Sequence, residues 1–171
     1  MNNVYIIDYI RTPVSKLQGG LSEVRADDLA AIVIKEIVER NPEVPVDEIE
    51  DVIFGCANQA GEDNRNVARM ALLLAGLPYK IGGETVNRLC ASGMSAVANA
   101  FRAIAAGEGE IYIAGGVEHM TRSPYVMSKP SAAYGRDSQM YDTTFWMEVC
   151  KSKNERNVWC GRNGGNRRKS C

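Results

Sequence analysis

The period of the apolar positions switches repeatedly along the first 116 residues, and the switches outline alternating strands and helices. Residues 4–10, VYIIDYI, form a short β-branched and aromatic run that reads as a buried strand. The stretch RTPVSKLQGGLSEV, with its Gly, Pro and Ser, reads as a loop. Asp27 is placed to cap a helix. Leu29, Val33, Ile37 and Ala30, Ile34, Val38 then recur at helical spacing to about Arg40. NPEVP breaks the chain, and DVIFG at 51–55 predicts the next strand. NVARMALLLAGLP predicts a very apolar helix ended by Gly76 and Pro78. A short strand near residues 84–87 leads into a helix over about 91–106. That helix is small-residued and almost uncharged, so burial on most sides is expected. EIYIAGG at 110–116 predicts the last strand. From Thr121 the periodicity fades, and TRSPYVMSKPSAAYGRDSQMYDTT reads as a long loop or the start of an inserted subdomain.

Strand–helix alternation of this kind predicts an α/β fold, one mostly parallel sheet with helices on both faces. The length of 171 residues gives room for one domain with a real core. At 45% apolar and a net charge of −1, the composition suits a globular protein with no overall pull toward nucleic acid or membrane. No apolar run is expected to span a bilayer. The start, MNNVYIIDYI, lacks a basic flank and a small-residue cleavage site, which points to the cytoplasm.

The near-neutral balance hides an asymmetry. Residues 147–171 hold seven Lys or Arg against two Glu, a balance of +5, which leaves −6 for the first 146. Three of the five cysteines, Cys150, Cys160 and Cys171, also fall in that tail. Their spacing has no Cys-x-x-Cys pair, so no metal is expected. An odd cysteine count without a secretory signal argues against a disulfide framework. The basic run at 162–169 has no folded context that would make it a nucleic-acid site, and a solvated, disordered tail is expected.

The segment VNRLCASGMSA, residues 86–96, carries the candidate chemistry. It places Cys90 between a short strand and the N-terminus of the 91–106 helix. Unpaired backbone N–H groups and the helix dipole converge at such a position. Both favour a thiolate and so a nucleophile. Ala91, Ser92 and Gly93 leave room for a substrate carbonyl. Spacing alone leaves open whether Cys90 is that nucleophile or a small buried packing residue. Cys56, in FGCANQ at a strand end, lacks the helix setting. His119, the one histidine, reads as a loop or packing residue rather than a base. Gly115 and Gly116 lack a Lys-Ser/Thr or a full glycine fingerprint, so close packing is expected there rather than phosphate binding.

VNRLCASGMSA resembles the nucleophile segment of the thiolase family. The resemblance extends to IIDYIRTPVSKLQGGLSEVRADDLAA, DVIFGCANQAGEDNRNVARMALLLAGLP and EIYIAGGVEHMTRSPYVM, and so covers about residues 3–146. CANQAGEDNRNVARMA is most similar to thiolases acting on 3-oxoadipyl-CoA or short 3-oxoacyl-CoA substrates. The resemblance implies a thiolase-like layered fold. It also implies an acyl-CoA C-acyltransferase with Cys90 as the acylated nucleophile, coenzyme A thioesters as substrates, no metal or redox cofactor, and a homotetramer as the full-length form. Family members carry a histidine in a Gly-His-Pro segment and a second cysteine in a Cys-x-Gly segment, both in a second half that packs on the first. His119, in GVEHMTR, matches neither segment. The resemblance thus implies a truncated chain, inactive alone, or else a dead thiolase-like fragment that serves as an oligomer partner. The implied division is a thiolase N-terminal α/β domain at 1–120, the start of a loop subdomain at 121–146, and an unrelated tail at 147–171.

The tail reads as the product of a shifted reading frame from about Trp146. Back-translated and read one base later, WMEVCKSKNERNVWCGRNGGNRRKSC can give GWRFVNPKMKEMYGVEEMGETAENL, which resembles the family's continuation after TTF. Most of the match uses codons chosen from degenerate sets. Met147 and Trp159 have single codons, and both yield the required residues, Trp and Gly.

Overall fold

The computed structural model describes residues 2–58 and 61–144. The expected tail at 147–171, with its three cysteines, lies outside the described residues. The described chain falls into two compact units, divided between Ser123 and Pro124.

The first unit is built on three parallel strands in the order β2-β1-β3. Strand β1 (Ile49–Gly55) is central, flanked by β2 (Gly82–Val86) and β3 (Ile111–Gly116). Helix α1 (Ala26–Arg40) precedes β1, α2 (Val67–Leu74) joins β1 to β2, and α3 (Ser92–Ala106) joins β2 to β3. Side chains alternate faces along a strand, and β1 uses both. Val52 and Phe54 pack with Ala30, Ile34, Val67, Ala71 and Leu72 of α1 and α2. Ile53, on the opposite face, packs with Ala96 and Ala100 of α3. The parallel sheet with helices on both faces is therefore as expected.

Asn66 starts α2. Its side-chain oxygen accepts from the Arg69 N–H (3.2 Å) and the Thr85 hydroxyl (2.8 Å), while its amide donates to the Gly83 carbonyl (2.8 Å). One side chain thus caps the helix and ties it to β2. Gly76, at φ +84°, lets the chain turn out of α2 where the sequence pattern ends it.

Four expectations fail. Residues 4–10 form no strand, and Tyr5, Ile6, Ile7 and Tyr9 are exposed. A strand needs a ladder partner, and no backbone hydrogen bond joins this segment to the sheet. Asp8 instead accepts from the side chains of Arg40 (3.1 Å) and Asn41 (3.0 Å) at the end of α1. The segment borders an apolar cavity of about 970 Å³ between itself, α1, α3 and β3. Asp27 does not cap α1. It lies inside the first turn, fully buried, with its carboxylate held by the Arg25 guanidinium at 2.8 and 3.0 Å. Burial pushes that carboxyl up, but the Arg25 hydrogen bonds and charge outweigh it, and the group sits below the ordinary carboxylate range. Helix α3 is buried on one face only: Met94, Val97 and Phe101 are exposed, because the sheet covers just the Ala96–Ala100 side. Finally, Leu89–Ala106 is long and apolar enough, by length and composition, to cross a bilayer. Its small residues dock it on the sheet instead.

The second unit is described over residues 124–144. Strands β4 (Tyr125–Met127) and β5 (Met140–Asp142) pair antiparallel there. The Thr143 hydroxyl donates to the Pro124 carbonyl at 2.6 Å, closing the base of the hairpin.

The N-terminus of α3 rests on the ends of β1 and β3, and glycine makes this possible. A Cβ at Gly55 would lie 2.2 Å from the Ser92 carbonyl carbon and 2.3 Å from the Gly93 nitrogen. Overpacking of this kind costs about 1–3 kcal/mol or more. Gly55→Ala is therefore expected to lower the unfolding free energy by that amount, read as a lower urea midpoint. Gly20→Ala, where nothing lies within 4 Å, should leave the midpoint in place. Equal midpoints for the two variants would refute the contact.

Candidate active site

Beyond β2 the chain makes a tight turn at residues 88–91 and enters α3. The Ala91 N–H donates to the Arg88 carbonyl at 3.2 Å, which closes the turn. Leu89 occupies its second position with φ +54°, a conformation that favours glycine. For a leucine this costs roughly 1–2 kcal/mol, so the surroundings must hold it. Both of its backbone groups are engaged. The Leu89 N–H donates to the Asn87 side-chain oxygen at 3.0 Å. The Leu89 carbonyl accepts from the Ser92 N–H at 3.0 Å and the Ser92 hydroxyl at 2.6 Å. The Asn87 amide donates to the Ala57 carbonyl at 2.8 Å, which anchors the turn to the loop after β1.

Cys90 follows Leu89 and is exposed. It stands two residues before the first residue of α3, whose N-cap, Ala91, offers no side-chain hydrogen bond. The amide end of a 15-residue helix is thus left without a side-chain acceptor beside the thiol. The positive end of the helix dipole favours negative charge at this place. Among the described residues Cys90 is exposed and is not part of a packed core.

Cys56 has the opposite setting. It is buried at the end of β1, and its Sγ–H donates to the Asn58 carbonyl at 3.3 Å. Burial, with the negative charges of Glu118 and Asp63 beside it, pushes the thiol up to about 12. Glu118 accepts from the N–H groups of Ala57 (2.8 Å) and Asn58 (3.1 Å), and so fixes the loop on which Asn87 leans. His119 bonds through Nε2 to the Leu21 carbonyl at 2.9 Å, which makes Nε2 the protonated nitrogen. Its role is to tie the β3 loop to residue 21, in line with a packing residue. Arg122 grips Glu62 with two hydrogen bonds, and Arg25 reaches the Glu62 carbonyl. Gly116 serves close packing: a Cβ there would lie 2.8 Å from the Gly55 carbonyl oxygen and 3.4 Å from the Gly93 Cα. Among the described residues, no group of three or more His, Cys, Asp or Glu could hold a metal ion.

Sequence reading singled out Cys90, saw in Ser92 only room for a substrate carbonyl, and passed over Asn87 and Glu118. A signal existed for Asn87 and Ser92. Asn and Ser next to a turn bond local backbone groups, and they flank Cys90 at three residues before and two after. Glu118 carried none, because its partners lie some sixty residues away in the chain.

Two thiols in such different settings should behave differently. Cys90 is expected to react with iodoacetamide in folded protein at neutral pH, while Cys56 stays unmodified until unfolding; peptide mass spectrometry over time reads both. Faster modification of Cys56 would overturn the assignment. Cys56 also makes a pH prediction. Its folded value is raised above the ordinary 9.0 of an unfolded thiol, so the burial benefit is complete below pH 9 and is lost as pH rises toward 12. The stability advantage of wild type over Cys56→Ala should therefore shrink from pH 9 upward. An advantage that stays constant to pH 11 would contradict this.

The family described as "Thiolase, N-terminal domain" matches residues 4–163. The chain is 63% identical over 141 residues to a beta-ketoadipyl-CoA thiolase of Pseudomonas knackmussii, covering 82% of this chain and 35% of that protein. It is 61% identical over 144 residues to the beta-ketoadipyl-CoA thiolase of Pseudomonas putida, covering 84% and 36%. It is 58% identical over 144 residues to the 3-oxoadipyl-CoA/3-oxo-5,6-dehydrosuberyl-CoA thiolase of Escherichia coli K12, again covering 84% and 36%. The chain thus spans about a third of the length of the curated relatives it matches. The matched residues include the turn that bears Cys90 and the helix that follows it, and the chain belongs to the thiolase family.

Proposed function

We propose that this chain supplies the nucleophile of an acyl-CoA C-acyltransferase, and that the nucleophile is Cys90. The observation that carries the proposal is the placement of an exposed thiol at the uncapped N-terminus of α3, while the other described cysteine is buried and held protonated. In the cleavage direction, the Cys90 thiolate attacks the 3-keto carbon of a 3-oxoacyl-CoA. The bond between C2 and C3 breaks, and its electron pair leaves with acetyl-CoA, which takes a proton at C2. The acyl group remains on Sγ as a thioester until the thiolate of a second coenzyme A displaces it. Synthesis is the reverse, an acetyl-CoA carbanion attacking acyl-Cys90. The similarity to thiolases named for beta-ketoadipyl-CoA favours a dicarboxylic 3-oxoacyl-CoA as substrate. Acyl-CoA and coenzyme A are the proposed partners, with no nucleic acid and no membrane. The cytoplasm and a homotetrameric full-length assembly complete the reading.

Proton transfer needs a general base, and the one histidine, His119, engages the Leu21 carbonyl through Nε2. General acid–base help contributes about 10²- to 10⁴-fold. We therefore propose that this chain alone does not turn over, and that its exposed α3 face needs a covering layer. A dead fragment that serves only as an oligomer partner is the competing reading, and the same exposed face favours it. We also propose that residues from about 146 arise from a shifted frame and take no part in the chemistry. Resequencing the coding DNA around Phe145 tests that, and a following frame unlike thiolases would end it.

A chimera separates catalyst from fragment. Residues 1–144 joined to the part of the Pseudomonas putida thiolase that this chain does not cover should cleave 3-oxoadipyl-CoA. Cys90→Ala in the chimera should lower that activity by about 10³-fold or more. The 171-residue chain should show no sustained release of acetyl-CoA, and it should self-associate through α3 as its concentration rises. An inactive but folded chimera would favour the fragment reading. An active one indifferent to Cys90→Ala would overturn the proposed nucleophile.

A further inference from the structure

We propose that Ser92 is a positioning residue for Cys90: its hydroxyl holds Leu89 in the left-handed conformation that sets the thiol at the start of α3. The proposal takes its meaning from Cys90 as nucleophile but is tested without turnover. Ser92 is buried, 4% exposed, at the first position of the helix. Its hydroxyl donates to the Leu89 carbonyl at 2.6 Å and accepts from the Arg88 N–H at 2.8 Å, so it spans the residues immediately before the thiol.

Two further observations point the same way. The Leu89 side chain is 51% exposed, so its own packing does not hold the strained turn; the hydrogen bonds to its backbone must. In addition, a serine at a helix start ordinarily accepts from amides of the first turn. Ser92 stands one residue too late to do so and directs its hydroxyl backward, while Ala91, at the capping place, has no hydroxyl to offer. The polar group that could have quenched the helix terminus is used to shape the turn. The amide end therefore stays available beside Cys90.

The test uses the 171-residue chain and the rate of Cys90 alkylation by iodoacetamide as a function of pH, read by peptide mass. The same protein in 6 M urea gives the unstructured reference. Ser92→Ala is expected to slow alkylation at neutral pH by roughly tenfold, since displacements on the order of 1 Å can cost ~10²-fold in reactivity at an active site. It should also change the shape of the pH–rate profile, which a purely structural role would leave in place. Ser92→Thr, which keeps the hydroxyl, should retain the wild-type profile. Adding Leu89→Gly to Ser92→Ala should restore it, because glycine needs no clamp at positive φ. A folded Ser92→Ala variant with the wild-type profile would overturn the proposal, whatever its melting temperature. So would a double variant that keeps the defect. If Ser92→Ala alone does not fold, the double variant decides: a folded protein with the wild-type profile supports the clamp, and a defective or unfolded one overturns it. An intact alkylation pattern combined with a chimera indifferent to Cys90→Ala would sink only the acyltransferase reading.

Discussion

The site depends on one close contact, the seating of the α3 N-terminus on the ends of β1 and β3. Backbone approaches backbone there, and no side chain fits between: a Cβ at Gly55 would overlap Ser92 and Gly93, and one at Gly116 would press on Gly55. The contact sets where α3 begins. The turn at 88–91 must then span from the end of β2 to that point. Ligand sites of parallel α/β sheets lie beyond the carboxyl ends of the strands, and the turn brings Cys90 to that edge. Removing the glycines would displace the helix before any catalytic group was touched.

The same edge holds a second thiol, and the pair shows what exposes one and buries the other. Cys56 continues the inward alternation of β1 past its last residue and joins the core. Glu118 stands beside it, so burial and a negative neighbour act together to keep it protonated. Cys90 escapes both because the left-handed turn at Leu89 swings the chain outward before α3 starts. Exposure of a thiol here follows backbone direction more than residue type. Glu118 has a second task, since its bonds to Ala57 and Asn58 stiffen the loop that receives Asn87.

Much of this was legible in the sequence, and what was not has physical reasons. The alternation of periods gave the parallel sheet and its three helices, because β1, α1 and α2 bury apolar residues against partners inside the chain. Gly76 marked the end of α2 correctly, since its positive φ is a local requirement. The pattern failed where a partner was needed. Residues 4–10 have strand composition but no backbone partner. The small residues of α3 suggested burial all round, although the chain covers only one side. Asp27 looked like a cap because acidic residues favour helix starts, yet Arg25 draws it inward as an ion pair. Cys90 could be singled out from its place between strand and helix. Its clamp could not, because a hydroxyl that bonds backward and one that caps forward look alike in sequence.

Helix α3 explains why site and packing cannot be separated. Its sheet-facing positions are small, Ala96 and Ala100, and its outward positions, Met94, Val97 and Phe101, are large and apolar. A helix covered on one side normally shows the reverse, with large apolar residues inward and polar ones outward. Small residues toward the sheet permit the close approach that seats the N-terminus. Large ones on the far side fit a helix lying between two layers. Met94 is the third residue of α3, and Cys90 stands two residues before the helix begins, so the open face and the exposed thiol lie at the same end of the helix. The acyl thioester proposed on Cys90 would stand beside a helix face that the described residues leave open, which joins the packing of α3 to the fate of the proposed intermediate.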